Sequence, residues 1–210
     1  MAVIVRHLGL CDYTPVYQAM QDFNAARDPN TEDEIWLLEH QPVFTLGLNG
    51  RPEHVLDPGD IPVLQTDRGG QVTYHGPGQL VAYLLLDVKR NRLGVRQMVS
   101  ALEQSVIDLL QDEQIQACAR PDAPGVYVDG AKVAALGLRV KRGATYHGLS
   151  LNLDMDLGPF QRINPCGYPG MEVINLRDLG LGYTMQQLSE RLLDKLCKRF
   201  HIDEIKTDYE

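Results

Sequence analysis

Positive charge is scarce in this sequence. Twenty lysines and arginines stand against 28 aspartates and glutamates, a formal net charge of -8. That balance excludes a general nucleic-acid-binding surface. Long apolar runs are also missing: none approaches the ~20 residues a bilayer span requires, so no membrane partner is expected. The opening MAVIVRHLGL turns polar at Arg6 and His7. It is too short for a signal-peptide core and lacks a small-residue cleavage site, so a cytoplasmic location is expected. The four cysteines, Cys11, Cys118, Cys166 and Cys197, include no CxxC pair. A disulfide framework or zinc ribbon is therefore excluded, and each thiol is judged alone. There is no internal repeat and no low-complexity segment. The polar stretch Arg27 to Glu34 is too short for an interdomain linker, so residues 1–210 read as a single domain of ordinary globular composition.

Against those absences stand three amphipathic patterns. Thr14 as N-cap and Pro15 at the first helical position open a helix to Ala26, with Val16, Met20 and Phe23 on one face. Val95, Val99, Leu102, Val106 and Leu109 recur at helical spacing between Gly94 and Gln114. Thr184 and Gln187 have the spacing of a capping box before Leu188, Leu192, Leu196 and Phe200, a stripe that Cys197 extends into the core. Strand-like runs occupy Ala2–Leu8, Glu34–Glu39, Val43–Leu46, Gln79–Val88, Gly125–Val128, Lys132–Lys141 and Thr145–Leu153. Asp129-Gly130 is a hairpin signal and Lys141-Arg142-Gly143 a second turn. Successive hairpins covered by helices define an α+β class with a mixed or antiparallel sheet.

Two segments stand out chemically. In INPCGYPG, residues 163–170, Cys166 lies among two prolines and two glycines, where neither helix nor strand forms. Cysteine is ordinarily a buried small hydrophobe, so a thiol on such a shaped loop is either incidental or a tool. As a tool it needs a partner, because a free thiol has a pKa of about 8.5 and is mostly protonated at neutral pH. The other segment is RGGQVTYHGPGQ, residues 68–79. Its glycines suit close approach of a ligand or simple tight turns. It is neither a P-loop nor a dinucleotide fingerprint. Of six histidines, His75 and His147 each lie in a Tyr-His-Gly triplet, either by coincidence or as strand ends lining one cleft. Lys132 heads the apolar run KVAALGL, as a snorkelling edge lysine or as a base or cation beside a nucleophile. Spacing does not choose among His75, His147 and Lys132 as the partner of Cys166.

The runs RGGQVTYHGPGQLVAYLLLDVKR, DGAKVAALGLRV, HGLSLNLDMDLGPFQRINPCG and PVFTLG closely resemble the octanoyltransferases of lipoate synthesis over nearly the whole chain, with the motifs in family order and RGGQVTYHGPGQ followed by INPCG the specific combination. The resemblance implies a fold like the catalytic domains of biotin and lipoate protein ligases. It implies that Cys166 takes the acyl group as a thioester and that Lys132 is its partner. It assigns substrate contacts to Arg68, Gly69, Gly70, Gln71, Val72, Thr73, Tyr74 and His75, to Ala135, Leu136 and Gly137, and to Gly148, Leu149 and Ser150. The implied donor is octanoyl-acyl carrier protein. The implied acceptors are lipoyl domains of 2-oxoacid dehydrogenase complexes and the glycine cleavage H protein. No cofactor and no metal are expected.

Both protein partners are expected to be acidic, which calls for a local basic face. Lys89, Arg90, Arg92 and Arg96 form one cluster; Arg139, Lys141 and Arg142 form another, the latter expected to help dock a partner. Cys11 and Cys118 read as structural thiols. The rival readings are an ATP-using ligase of the same fold, a Cys–His thiol hydrolase and a non-catalytic acyl- or lipoyl-domain-binding module.

Overall fold

The computed structural model describes residues 2–209. In chain order the elements are β1 (Ala2–Cys11), α1 (Tyr13–Ala26), β2 (Asp33–His40), β3 (Val43–Leu46), β4 (Val63–Gln65), β5 (Val72–His75), β6 (Gln79–Leu85), α2 (Val88–Asn91), α3 (Val95–Asp112), β7 (Cys118–Ala119), β8 (Gly125–Val128), β9 (Ala131–Lys141), β10 (Ala144–Asn152), α4 (Met185–Phe200) and β11 (Glu204–Tyr209). Eight strands form one sheet in the order β11-β1-β2-β6-β10-β9-β8-β7, and β4-β3-β5 form a smaller one. β1 pairs in parallel with β2 and β11, while the neighbours β2-β6-β10-β9-β8-β7 all pair antiparallel. The class is α+β with a mixed sheet, as the hairpin pattern predicts.

Alternation along the strands decides which layer each residue joins. On one face Ile35, Leu37, Leu80, Ala82, Leu84, Leu149 and Leu151 pack against Leu102, Val106 and Leu109 of α3 and Leu188, Leu192 and Leu196 of α4. On the other face Trp36, Leu38, Val81, Tyr83 and Leu85 meet Val16 and Met20 of α1. The small sheet has its own core of Phe44, Leu46, Val72, Tyr74, Phe160 and Ile163. α4 begins with the expected capping box, Thr184 Oγ1 accepting the Gln187 N–H at 3.2 Å and Gln187 Oε1 accepting the Thr184 N–H at 2.9 Å.

Two expectations shift. α1 starts at Tyr13 with Asp12 as N-cap. This places Pro15 in the third helical position, where its missing N–H still costs no intrahelical bond. β6 ends at Leu85, because Asp87 caps the short α2 by accepting the Arg90 N–H at 2.9 Å. The turns at Asp129-Gly130 and Arg142-Gly143 have positive φ at both central residues, the conformation that two-residue hairpins favour.

Candidate active site

The hairpin joining β8 and β9 sets Lys132 just inside its strand. Tyr127 pairs with Lys132 but Val126 pairs with Ala134, so β9 carries one residue more than β8 here. Such a bulge re-aims side chains. The Lys132 side chain is buried. Its Nζ donates to the Pro124 carbonyl at 3.0 Å and to Cys166 Sγ at 2.9 Å, and it stands 5.1 Å from the centre of the Tyr127 ring. Gly125 leaves the path open: a Cβ there would meet Lys132 Cε at 2.7 Å and Nζ at 2.9 Å. The lysine's main chain is tied to the segment after the thiol loop, with its N–H on Glu172 O at 2.8 Å and its carbonyl accepting from Ile174 N–H at 3.0 Å.

Cys166 occupies a 3-10 turn, Pro165–Gly167, at φ 57° and ψ 14°. The left-handed conformation costs a residue with a Cβ on the order of 1 kcal/mol. The loop is clamped around it. Asn164 N–H reaches His54 O at 2.8 Å, Gly167 N–H reaches Asn164 O at 2.9 Å and Tyr168 N–H reaches Pro165 O at 3.0 Å. The prolines and glycines of INPCGYPG thus shape a turn that presents the half-buried thiol.

From Cys166 a cleft runs over the large sheet. Its floor is made of small residues in register, Ala135 beside Ser150 and Gly137 beside Gly148, continuing onto Val81 and Tyr83 of β6. Arg68, Gly70, Gln71, Val72, Thr73 and His75 form the opposite wall. At about 3.3 Å per residue, Gly137 lies roughly 16 Å along β9 from Lys132. The Tyr83 and His147 end is therefore distant from the thiol.

The electrostatics of the two walls differ. Arg68 is buried and donates to Thr45 O, Thr45 Oγ1, Gly69 O and Gln71 O at 2.6 to 3.2 Å. Among the described residues no carboxylate pairs with it, and its neighbours in the cleft include Tyr13, Tyr83 and Cys166. His75 is bonded through Nδ1 to Gln79 Oε1 at 2.7 Å. Burial, then the neighbouring His40, push it down to about 3, so it is neutral. His147 Nε2 lies 3.2 Å from Asp67 Oδ1, and burial pushes that imidazole down although Asp67 opposes the shift. Burial alone would raise the Asp67 carboxyl, but hydrogen bonds from His147, Tyr146 and Tyr17 hold it well below the usual carboxylate range. Neither histidine bonds Cys166. The lysine does.

Of the residues named from sequence, fourteen line the cleft: Arg68, Gly70, Gln71, Val72, Thr73, His75, Ala135, Leu136, Gly137, His147, Gly148, Leu149, Ser150 and Cys166. Lys132 touches Cys166 from the side. Gly69 instead stitches the wall to the sheet, its N–H on Leu138 O at 3.0 Å. Tyr74 turns away into the small core, against Phe44 and Phe160. Pattern reading missed Tyr13, Val81 and Tyr83 at the far end, as well as Asp67 and Gly125, which carry no motif of their own. Cys118 is exposed on β7, while Cys197 packs against the main core as expected. Cys11 Sγ donates to Leu8 O at 3.1 Å. The main chain beside the two basic clusters is tied together, Val88 N–H bonding Gly143 O at 2.9 Å. The second cluster extends up to ~30 Å along β9 from Lys132, and Arg139 in it stands 3.8 Å from Asp67.

Comparison with known proteins follows the same lines. Residues 15–197 match the lipoyl protein ligase A/B catalytic domain. The octanoyltransferase of Shewanella halifaxensis is 55% identical over 204 residues, 97% of this chain and 93% of that protein. The octanoyltransferase of Shewanella amazonensis is 60% identical over 188 residues, 90% of this chain and 87% of that protein. Among solved structures, the bi-partite lipoate protein ligase of Thermoplasma acidophilum superposes with a TM-score of 0.80 at 15% identity, covering 100% of this chain and 88% of that one. The biotin protein ligase of Aquifex aeolicus gives 0.56 at 13%, covering 95% and 69%. At such identities the structural likeness concerns the fold.

Proposed function

The chain belongs to the lipoyl protein ligase A/B catalytic family, among its octanoyltransferases, and from that premise we propose that it moves octanoyl from octanoyl-acyl carrier protein through a thioester on Cys166 to the target lysine of lipoyl domains. The acceptors in this reading are the lipoyl domains of 2-oxoacid dehydrogenase complexes and the glycine cleavage H protein. The observation that carries it is the 2.9 Å contact between Lys132 Nζ and Cys166 Sγ.

One proton on Lys132 balances both half-reactions. The Cys166 thiolate attacks the donor carbonyl, and the carrier's sulfur leaves with the proton of the Lys132 ammonium. This yields the acyl-enzyme, a free carrier thiol and a neutral Lys132 amine. The acceptor lysine's amine then attacks the Cys166 thioester. Lys132 takes the proton it sheds, and the Cys166 thiolate departs, restoring the starting ion pair. Each attack builds a tetrahedral oxyanion, for which the unpaired Arg68 cation supplies a favourable field. Exchange between two thioesters is nearly isoenergetic and formation of an amide is downhill, so no nucleotide is needed. The acyl chain lies along the small-residue floor. Burial at about 0.8 kcal/mol per methylene gives it on the order of 5 kcal/mol.

The test is intact mass after mixing the protein with octanoyl-carrier protein in the absence of ATP. An octanoyl adduct on Cys166 that moves to an added lipoyl domain is expected. Acceptor modification without any adduct would replace the covalent route by direct transfer in a ternary complex.

A further inference from the structure

The proton cycle makes one demand that Cys166 does not meet. In the proposed cycle the Cys166 thiolate balances the Lys132 ammonium, whose Nζ stands 2.9 Å from Sγ. Once sulfur is acylated, that anion is gone. The amine's protonation then depends on the other groups around it, and these are few. From the loop before β8, Pro124 offers a carbonyl at 3.0 Å. From β8, Tyr127 offers its ring at 5.1 Å and a phenol that burial pushes up against the opposing Lys132; Arg120 stands over the same ring at 5.1 Å but is paired with Asp122 at 2.9 Å. From the thiol loop's far side, Glu172 contributes its main-chain carbonyl to the Lys132 N–H. Arg68 acts from beyond the sulfur. The remaining charged group is Glu103, which α3 sends into this corner.

Glu103 is half-buried, and its Oε1 accepts the Gly125 N–H at 3.1 Å. Gly125 is the residue whose missing side chain gives Lys132 its path, with Nζ 2.9 Å from where a Cβ would stand. The carboxylate therefore grips the turn that cradles the lysine: Pro124 holds the amine by its carbonyl, and Gly125 is held by Glu103. Among the described residues no cation lies within ion-pair distance of Glu103. Burial raises its carboxyl, with the Gly125 N–H and then the Lys132 cation opposing the shift, as expected of two charges that feel each other across this turn.

We infer that Glu103 is a positioning residue that braces the Pro124–Gly125 cradle and sets the proton balance of Lys132 in the acyl-enzyme. This inference rests on the acyl-enzyme reading above. A nearby negative charge favours the ammonium over the amine. Removing it leaves more neutral amine at any given pH, and the neutral amine is the form that accepts the incoming lysine's proton.

The experiment isolates octanoylated enzyme and follows its discharge to a lipoyl domain from pH 6 to 10 (on the order of the range over which lysine and thiol groups titrate). Glu103→Gln keeps an oxygen for the Gly125 N–H and removes the charge. The acceptor's own ionisation is common to both enzymes, so their difference reports on Lys132. The variant's pH midpoint is expected to fall by about half a unit to one unit, with discharge about 3- to 10-fold faster below the midpoint. A midpoint that stays in place while the variant acylates fully would reduce Glu103 to a structural brace and overturn the inference. Should the glutamine variant not fold, Glu103→Ala carries the same expectation and the same overturning result. Absence of an adduct in the parent enzyme would instead overturn the acyl-enzyme reading, so the two failures are distinguishable.

Discussion

At the far end of the cleft Asp67 accepts hydrogen bonds from Tyr17, Tyr146 and His147, His75 is tied to Gln79, and His40 spans from Cys11 O to the Tyr83 hydroxyl at 3.1 and 2.7 Å. At the near end Cys166 meets Lys132 on a loop held in the left-handed region. Buried polar groups that are bonded rigidify a structure, because each would be costly to leave unpaired; here His147 Nδ1 alone of the imidazole nitrogens named is buried without a partner among the described residues. The far end therefore works as frame: burial pushes His40, His75 and His147 down, and hydrogen bonds hold the Asp67 carboxyl well below the usual carboxylate range. The near end holds a thiol and an amine with few bonds, the pair to which the proposed function gives a proton to pass. The lesson is that the density of titratable groups in a cleft is a poor guide to its chemistry. Seven aromatic or imidazole rings crowd the frame, in contact through Tyr13, Tyr17, His40, His75, Tyr83, Tyr146 and His147, and the proposed reacting pair lies outside it.

The sharpest way to break that contrast is to exchange the roles experimentally. Lys132→Arg keeps the charge but gives up easy proton exchange. Transfer is expected to fall about 10³-fold, within the range that general acid–base groups supply. His147→Gln and His75→Gln are expected to lose no more than about tenfold, the cost of a loosened frame. Transfer rates of the three variants with the same donor and acceptor decide it. Near-normal turnover of Lys132→Arg would end the proton-transfer role, and a collapse in His147→Gln equal to that of the arginine variant would put the frame among the reacting groups.

A smaller effect is expected one step back from the reacting atoms. Gly125→Ala would place a methyl within 2.7 Å of Lys132 Cε and of the Ala134 carbonyl. The backbone carbonyl has little freedom to retreat, so the amine is the group displaced. A misplacement of about 1 Å costs roughly 10²-fold in rate, and the crowding costs about 1–3 kcal/mol of stability. Rates and urea midpoints measured together separate the two. Full activity with lowered stability would show that the lysine does not depend on this passage.

The reach of the sequence divides along the same line. The near end was legible because its signals are local: Pro and Gly around Cys166 announce a shaped loop, and Asp129-Gly130 places Lys132 at a strand entrance. Hairpins, the capping box at Thr184 and the class of the sheet follow from residues a few positions apart. The frame was not legible. Asp67 meets Tyr17 and Tyr146 across 50 and 79 residues, and no periodicity in a single sequence encodes such a meeting. Tyr74 looks like part of the RGGQVTYHGPGQ signature, yet strand alternation in β5 sends it to the opposite core. β11, an edge strand of mixed polarity, pairs with β1 in parallel across the whole length of the chain, a partnership that only the finished sheet reveals. Gly125 and Glu103 are ordinary in sequence and gain meaning from the bulge that turns Lys132 toward them.

The mildest expected effect tests the frame at a single proton. Burial pushes His40 down to about 4 and His75 to about 3, while an unfolded histidine titrates near 6.5. Because the folded values are depressed, the stability that each neutral imidazole contributes is complete above about pH 6.5 and is lost as pH falls toward the folded values. Between those limits each histidine adds up to about 1.4 kcal/mol per pH unit to the slope of stability against pH. His40→Gln removes one of these groups. Its unfolding free energy, measured in urea from pH 7 to about pH 5, is expected to fall less steeply than the parent's by up to that amount, even if it starts lower because the bond to Tyr83 is weakened. Parallel slopes for parent and variant would mean that His40 takes up its proton without unfolding. The far end would then hold a titrating group, and the contrast between frame and proposed reacting pair would fail at this residue.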